Sequence, residues 1–109
     1  MKKINVLVRS RDKNDAIVYT KVEGYKVEVN FNGKDYGIAV HKNSNGKWSL
    51  TCLSTGLKMS DYYDTRQQAI DSITIEYMLK VEQCLAKDEM KTATKKLADY
   101  KKKHADTLK

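Results

Sequence analysis

Residues 48–73 read WSLTCLSTGLKMSDYYDTRQQAIDSI, and along them the pattern changes from that of a strand to that of a helix. Trp48, Leu50 and Cys52 alternate with polar residues, as they do in a strand that buries one face. The alternation stops at Ser54-Thr55-Gly56, which predicts a turn.

Thr65 has the chemistry of a helix N-cap. Its hydroxyl is placed to accept a hydrogen bond from the backbone N–H of Gln68, and the Gln68 side chain is expected to reach back to Thr65. An apolar stripe begins at Ala69 and Ile70, so we predict a helix over residues 65–86.

Upstream, alternating side chains predict an antiparallel meander over residues 1–59. Asn32-Gly33 separates two alternating runs and offers the two positive φ values of a type I′ hairpin. Two less regular strands are expected before it, with Gly24 marking a bend between the second and third strands. The buried face is predicted to carry Tyr25, Val27, Val29, Phe31, Tyr36, Ile38 and Val40. The solvent face is predicted to carry Lys26, Glu28, Asn30, Asp35, Gly37, Ala39, His41, Ser49 and Thr51.

The predicted helix supplies a cover for the buried face. Ile70, Ile73, Tyr77, Val81 and Cys84 recur at three and four residues and form one apolar stripe. The stripe loses phase near residue 87, and a second, lysine-rich helix is predicted over residues 88–107, with one long bent helix as the alternative. We therefore predict a single α+β domain over residues 1–109. It is an antiparallel β-meander of three to five strands, covered on one face by a helix and followed by a basic C-terminal helix.

The chain is basic, with 21 Lys and Arg against 14 Asp and Glu and a formal net charge of +7. The excess is concentrated in residues 91–109, which hold seven basic and two acidic side chains. Such a balance favours polyanions or acidic protein surfaces as partners. No apolar run has the length of a signal peptide or a membrane span, so we expect a cytoplasmic protein without a membrane partner.

His41 and His104 have no second ligand at metal spacing, and Cys52 and Cys84 form no C-x-x-C pair. Both cysteines fall on predicted apolar faces, where a free thiol behaves as a small hydrophobic group. We predict no metal, no cofactor and no catalytic residue. An enzyme with Cys52 or Cys84 as nucleophile is the alternative.

Asp61 and Asp64 flank two tyrosines just before the predicted helix. Two carboxylates at such spacing suit acid–base catalysis, but acids near a helix start also favour its positive end. We interpret this segment as a polar, aromatic loop that packs the sheet against the helix.

Three tyrosines do not fit the core pattern, and tyrosine is enriched at interface hot spots. The late lysines fall within three helical turns, which is close enough to engage phosphates or an acidic protein. A solvated helix face is the alternative interpretation of the lysines, and the absence of arginine among them argues against base recognition. The predicted partner-binding residues are Tyr62, Tyr63, Lys95, Lys96, Tyr100, Lys101, Lys102 and Lys103.

The runs W-x-L-T-x-x-x-T-G-L at residues 48–57 and T-R-x-x-A-I at residues 65–70 resemble segments of small uncharacterised proteins from phages and mobile elements of Gram-positive bacteria. More loosely, the chain resembles the arm-type DNA-binding domain of phage integrases, in which a three-stranded sheet enters the major groove. By size, charge and lack of a catalytic motif it also resembles anti-CRISPR inhibitors.

These resemblances imply a non-catalytic binding protein that inhibits a host nucleic-acid-handling defence complex, such as a nuclease, in the bacterial cytoplasm. The alternative that they imply is a DNA-binding accessory or regulatory protein that uses a sheet face or the basic helix to contact DNA or RNA directly.

Overall fold

A computed structural model describes residues 2–104 and has an α+β fold, as predicted. Its five strands form one antiparallel sheet in the order of the chain. The strands are β1 (Lys2–Arg11), β2 (Ile17–Phe31), β3 (Lys34–Lys42), β4 (Trp48–Cys52) and β5 (Lys58–Tyr63). The helices are α1 (Arg66–Asp71), α2 (Ile75–Leu85) and α3 (Asp88–Lys103).

The hairpin between β2 and β3 is confirmed. Asn32 has φ 52° and Gly33 has φ 77°, as a type I′ turn requires. The predicted division into two strands at Gly24 was wrong, because β2 is one continuous strand of 15 residues. Gly24 is needed for a close approach instead, since a Cβ atom there would lie 2.8 Å from the Val40 carbonyl oxygen.

The fifth strand occupies the segment that was predicted to be a loop. β5 pairs with β4 from Thr51 opposite Lys58 to Trp48 opposite Tyr63, with register shifts in between. Along β5, Met59 is half-buried, Asp61 is exposed and Tyr63 is buried, so one face of the strand is mixed in polarity. This mixed face and the irregular register hide the alternation that identifies a strand.

The sheet curls strongly. The Arg9 N–H of β1 donates a hydrogen bond to the Gly56 carbonyl oxygen at 2.7 Å. The Gly56 N–H in turn donates to the carbonyl oxygen of Cys52, at the end of β4. In a flat sheet, β1 and β4 would lie about 14 Å apart. The curl therefore brings the first strand to the turn after the fourth.

The curl buries a face that was predicted to be exposed. Ala39, His41, Ser49 and Thr51 are 0–2% exposed, so the prediction was wrong for these four positions. A Cβ at Gly24 would lie 3.1 Å from His41 Cβ and 3.2 Å from Val6 Cγ2, so the side chains of β1 and β3 pack tightly against Gly24 from both sides. A local alternation pattern cannot report this long-range closure.

The opposite face of the sheet carries the main core. Its buried cluster consists of Ile38, Val40, Leu50, Tyr63, Ala69, Met78 and Val81. Ile70, Ile73 and Tyr77 pack against this cluster, so the predicted cover is present. Cys84 is an exception in the stripe, since it is exposed rather than buried.

The predicted helix over residues 65–86 is interrupted and forms α1 and α2. Ile73, Thr74 and Ile75 are consecutive β-branched residues, which restrict side-chain rotamers in a helix. Thr74 caps the new start by accepting from the Tyr77 N–H at 3.2 Å. At α1, Thr65 caps Gln68 as predicted, but the Gln68 side chain accepts from the Asp64 N–H and not from Thr65.

The basic helix begins at Asp88 after a break at residue 87, so the chain does not form one long helix. It packs against the rest of the molecule through Ala93 and Leu97, each 1% exposed. The predicted extension of this helix to residue 107 lies outside the described residues.

Candidate interaction surface

The late lysines form an exposed surface on α3. We define the α3 lysine surface as Lys91, Lys95, Lys96, Lys101, Lys102 and Lys103, all of which are exposed. Within residues 2–104 none of them takes part in an ion pair, whereas lysines elsewhere in the chain do. The helix carries six lysines against three acids, so its positive charge is only partly offset.

The lysines are distributed around α3 in a definite way. At about 100° per residue, Lys91, Lys95 and Lys102 fall within about 40° of one another and form a row pointing away from the buried side. Lys96 and Lys103 lie together on one flank of that row. The surface thus offers positive charge over a broad arc of the helix.

Helix electrostatics account for part of this charge. Asp88 and Glu89 occupy the first turn of α3, and three of the lysines occupy the last turn. Both placements complement the helix dipole. The helix dipole does not explain the positions of Lys91, Lys95 and Lys96, because its effect falls off outside the terminal turns.

Tyr100, predicted as a contact, helps to hold α3 in place. Its ring centroid lies 4.6 Å from that of Tyr19 on β2 and 4.2 Å from that of His104. Tyr100 is half-buried, so only part of its ring is available to a partner. The Tyr19 hydroxyl beneath it is buried and has no hydrogen-bond partner within the described residues.

Tyr62 and Tyr63 differ sharply in exposure. Tyr62 is 69% exposed, whereas Tyr63 is 9% exposed and belongs to the core. Their ring centroids lie 4.6 Å apart, so the exposed Tyr62 ring packs against the buried Tyr63 ring. Tyr62 stands near the end of β5 that pairs with Trp48, away from the Gly56 turn where α3 packs. The structure therefore does not bring Tyr62 together with the α3 lysine surface.

An arginine groove was missed in the sequence. A groove of about 520 Å³ is lined by Arg9, Ser10 and Arg11 of β1 and by Glu89, Met90 and Thr92 of α3. Arg9 has no ion-pair partner within residues 2–104, while Arg11 lies 3.7 Å from the Asp15 carboxylate. The sequence did not predict this groove from Arg9 and Arg11 alone, because the groove forms only where α3 meets β1.

Two exposed apolar side chains on α2 were also missed. Ile75 is 73% exposed and Leu79 is 42% exposed. They are four residues apart and so lie on one side of the helix. Both residues lie outside the predicted apolar stripe, and this position could have identified them as exposed.

The cysteines and histidines do not converge within residues 2–104. Cys52 and Cys84 line the same groove of about 450 Å³, and neither histidine lines it. His41 is buried and its Nε2 lies 2.6 Å from Thr51 Oγ1. Burial lowers the pKa of His41 below its usual 6.5, and the nearby Lys58 charge lowers that pKa further.

Asp61 and Asp64 are both exposed and both take part in ion pairs. Asp64 pairs with Lys47, and Asp61 lies 3.8 Å from Lys58. In the described part of the chain, no three His, Cys, Asp or Glu side chains are grouped as metal ligands.

No helix within residues 2–104 is both long enough and apolar enough to cross a membrane. Comparison with protein-family models, with curated proteins and with solved structures finds no match to this chain. The resemblance to phage proteins therefore stays a prediction from the sequence.

Proposed function

We propose that this protein acts by binding and inhibits a host nucleic-acid-handling defence complex, an anti-CRISPR-like role, with the α3 lysine surface as its main contact. The protein is of phage or mobile-element origin in this proposal, in keeping with the sequence resemblance at residues 48–70. It performs no chemistry of its own and works by occupying the partner.

The observation that supports this proposal is the set of unpaired lysines on α3. Six exposed lysines lie within 13 residues, and none has an ion-pair partner in the described chain. Positive side chains that bind phosphates release condensed counterions, which favours association with nucleic acid. A complex that handles nucleic acid offers such phosphates, and its own acidic surfaces attract the same lysines.

The way in which α3 is held suits inhibition by occupation. Leu97 and Ala93 are buried, and the Tyr100 ring contacts the Tyr19 ring near the far end of the helix. A contact surface that is already ordered loses less conformational entropy on binding. An ordered basic helix bound to the phosphates of the complex's nucleic acid would block that nucleic acid from its place on the partner.

The experiment is capture of reconstituted RNA-guided nuclease complexes of Gram-positive bacteria by the immobilised protein at physiological salt, together with a target-cleavage assay. We expect retention of a complex and a dose-dependent loss of cleavage. Retention of none of the complexes, or retention with full cleavage, would contradict the proposal.

Direct binding of DNA or RNA, in an accessory or regulatory role, is the second candidate. The same unpaired lysines favour it, whereas the sheet face does not, because Ala39, His41, Ser49 and Thr51 are buried. A gel shift over a salt series separates the two functions. Binding to bare duplex that weakens steeply between about 50 and 200 mM salt supports direct binding, and binding to a protein complex alone supports the inhibitor.

A further inference from the structure

We infer that the groove between β1 and α3 is a seat for a backbone phosphate of a nucleic acid, held by Arg9 and Arg11. This inference rests on the second candidate function above, direct binding of nucleic acid, and names the chemistry that this function would use. It also adds arginines to a contact surface in which the sequence shows only lysines.

The groove has the chemistry that a phosphate needs. Arg9 and Arg11 are two residues apart on β1, so both side chains lie on the same face of the strand, about 6.6 Å apart along it. A guanidinium group donates paired N–H bonds that match two phosphate oxygens. Thr92 of α3 also lines the groove.

The charges around the groove favour an anion at Arg9 in particular. Arg9 has no ion-pair partner within residues 2–104. Arg11 is partly engaged, since it donates to the Asp15 carbonyl oxygen at 3.0 Å and lies 3.7 Å from the exposed Asp15 carboxylate. Among the described residues that line the groove, Glu89 is the one acid against two arginines, so this part of the lining has a net positive charge.

The groove continues into a track of lysines along α3. Seven residues make almost two full helical turns, so Lys96 and Lys103 lie on the same flank of α3 as the groove-lining Glu89. They follow Glu89 at about 10 Å and 21 Å along the helix axis. A single anion would use the groove alone, whereas a strand with repeated phosphates would use the groove and the track together.

The inference is tested with the double variant R9Q/R11Q and the control K34Q/K80Q, which removes the same charge from exposed lysines of the β2–β3 turn and of α2. The probe is a fluorescein-labelled oligothymidylate, whose anisotropy is followed over a salt series. We expect R9Q/R11Q to bind at least about tenfold more weakly than the wild type. The slope of log affinity against log salt should fall by about 1.4, because each lost single-strand phosphate contact removes about 0.7. The control should keep the wild-type slope.

A second variant guards against a trivial loss of fold. R9K/R11K keeps both charges but cannot form the paired guanidinium bonds, so we expect it to keep the salt slope and to bind with intermediate affinity. Wild-type affinity in R9K/R11K would overturn the arginine-specific seat. Equal losses in R9Q/R11Q and the control would show that only net charge matters and would overturn it as well.

Two further measurements identify the ligand class. Inorganic pyrophosphate should displace the oligonucleotide only weakly, because it cannot reach the lysine track, and full displacement at equal phosphate concentration would overturn the backbone assignment. Polyglutamate that binds as tightly as the oligonucleotide would point to an acidic protein surface and against a phosphate seat. If the wild type binds no oligonucleotide, this inference fails, while capture of a nuclease complex would still support the proposed function.

Discussion

Replacing Leu97 by alanine tests whether α3 is docked on the sheet. Leu97 is 1% exposed, and its Cδ2 would lie 3.5 Å from a Cβ placed at Gly56, so it fills the space between α3 and the turn after β4. The substitution removes three buried carbon atoms, worth about 2.4 kcal/mol at about 0.8 kcal/mol each. The cavity left behind brings the expected loss to about 2.5–4 kcal/mol.

The assay is urea unfolding followed by far-UV circular dichroism and by the fluorescence of Trp48, the single tryptophan of the chain. The expected loss of unfolding free energy would also lower the melting temperature in a thermal scan by about 10–30 °C for a domain of this size. Leu79→Ala is the matched control, because it makes the same chemical change at a position that is 42% exposed. A loss for Leu97→Ala no greater than that for Leu79→Ala would refute the docking of α3.

Three further predictions concern the curl of the sheet and the thiols. Because burial lowers the pKa of His41 below 6.5, the unfolded chain binds more protons just below that pH, so stability is retained above about pH 6.5 and falls as the pH drops. The free energy of unfolding should fall by at most about 1.4 kcal/mol per pH unit, and by less in His41→Gln. Urea unfolding at pH 7.5 and 5.5 measures this difference. Gly56 has φ 75°, and a Cβ added there would lie 2.9 Å from the Leu7 carbonyl oxygen, whereas Gly46 has φ 78° and open space around it. We therefore expect Gly56→Ala to lower the melting temperature more than Gly46→Ala does. Cys84 is exposed and Cys52 is buried, so mass spectrometry after brief alkylation of the native protein should find the label on Cys84 alone.

The local features of the fold could be predicted because short-range chemistry determines them. Asn32-Gly33 between two alternating runs strongly favours a type I′ turn, and Thr65 caps a helix through its own neighbours. The spacing of Ile38 and Val40 in the sequence likewise predicts a strand, and both side chains lie in the main core.

The closure of the sheet could not be predicted in this way. It depends on a hydrogen bond between Arg9 and Gly56, which are 47 positions apart, and no local pattern encodes that contact. The burial of His41 follows from the closure, so its solvent exposure was predicted wrongly. The same limit applies to the arginine groove, which is assembled from β1 and α3.

The α3 lysine surface was partly visible in the sequence. The run from Lys95 to Lys103 stands out by composition, and helical spacing determines which lysines share a row. Which row faces outward depends on the side of α3 that carries the buried Leu97. Tyr63 was predicted as a contact and is instead in the core, because β5 turns it inward beside Ala69 and Met78.

Two charge-reversal variants, compared in capture of an RNA-guided nuclease complex at physiological salt, test directly whether α3 is the contact surface. K91E/K95E/K102E reverses the outward row of α3, and K2E/K34E/K80E makes the same change in net charge at exposed lysines elsewhere. We expect the first variant to lose capture and the second to retain most of it. Equal capture by the two variants would contradict the assignment of α3 as the contact surface.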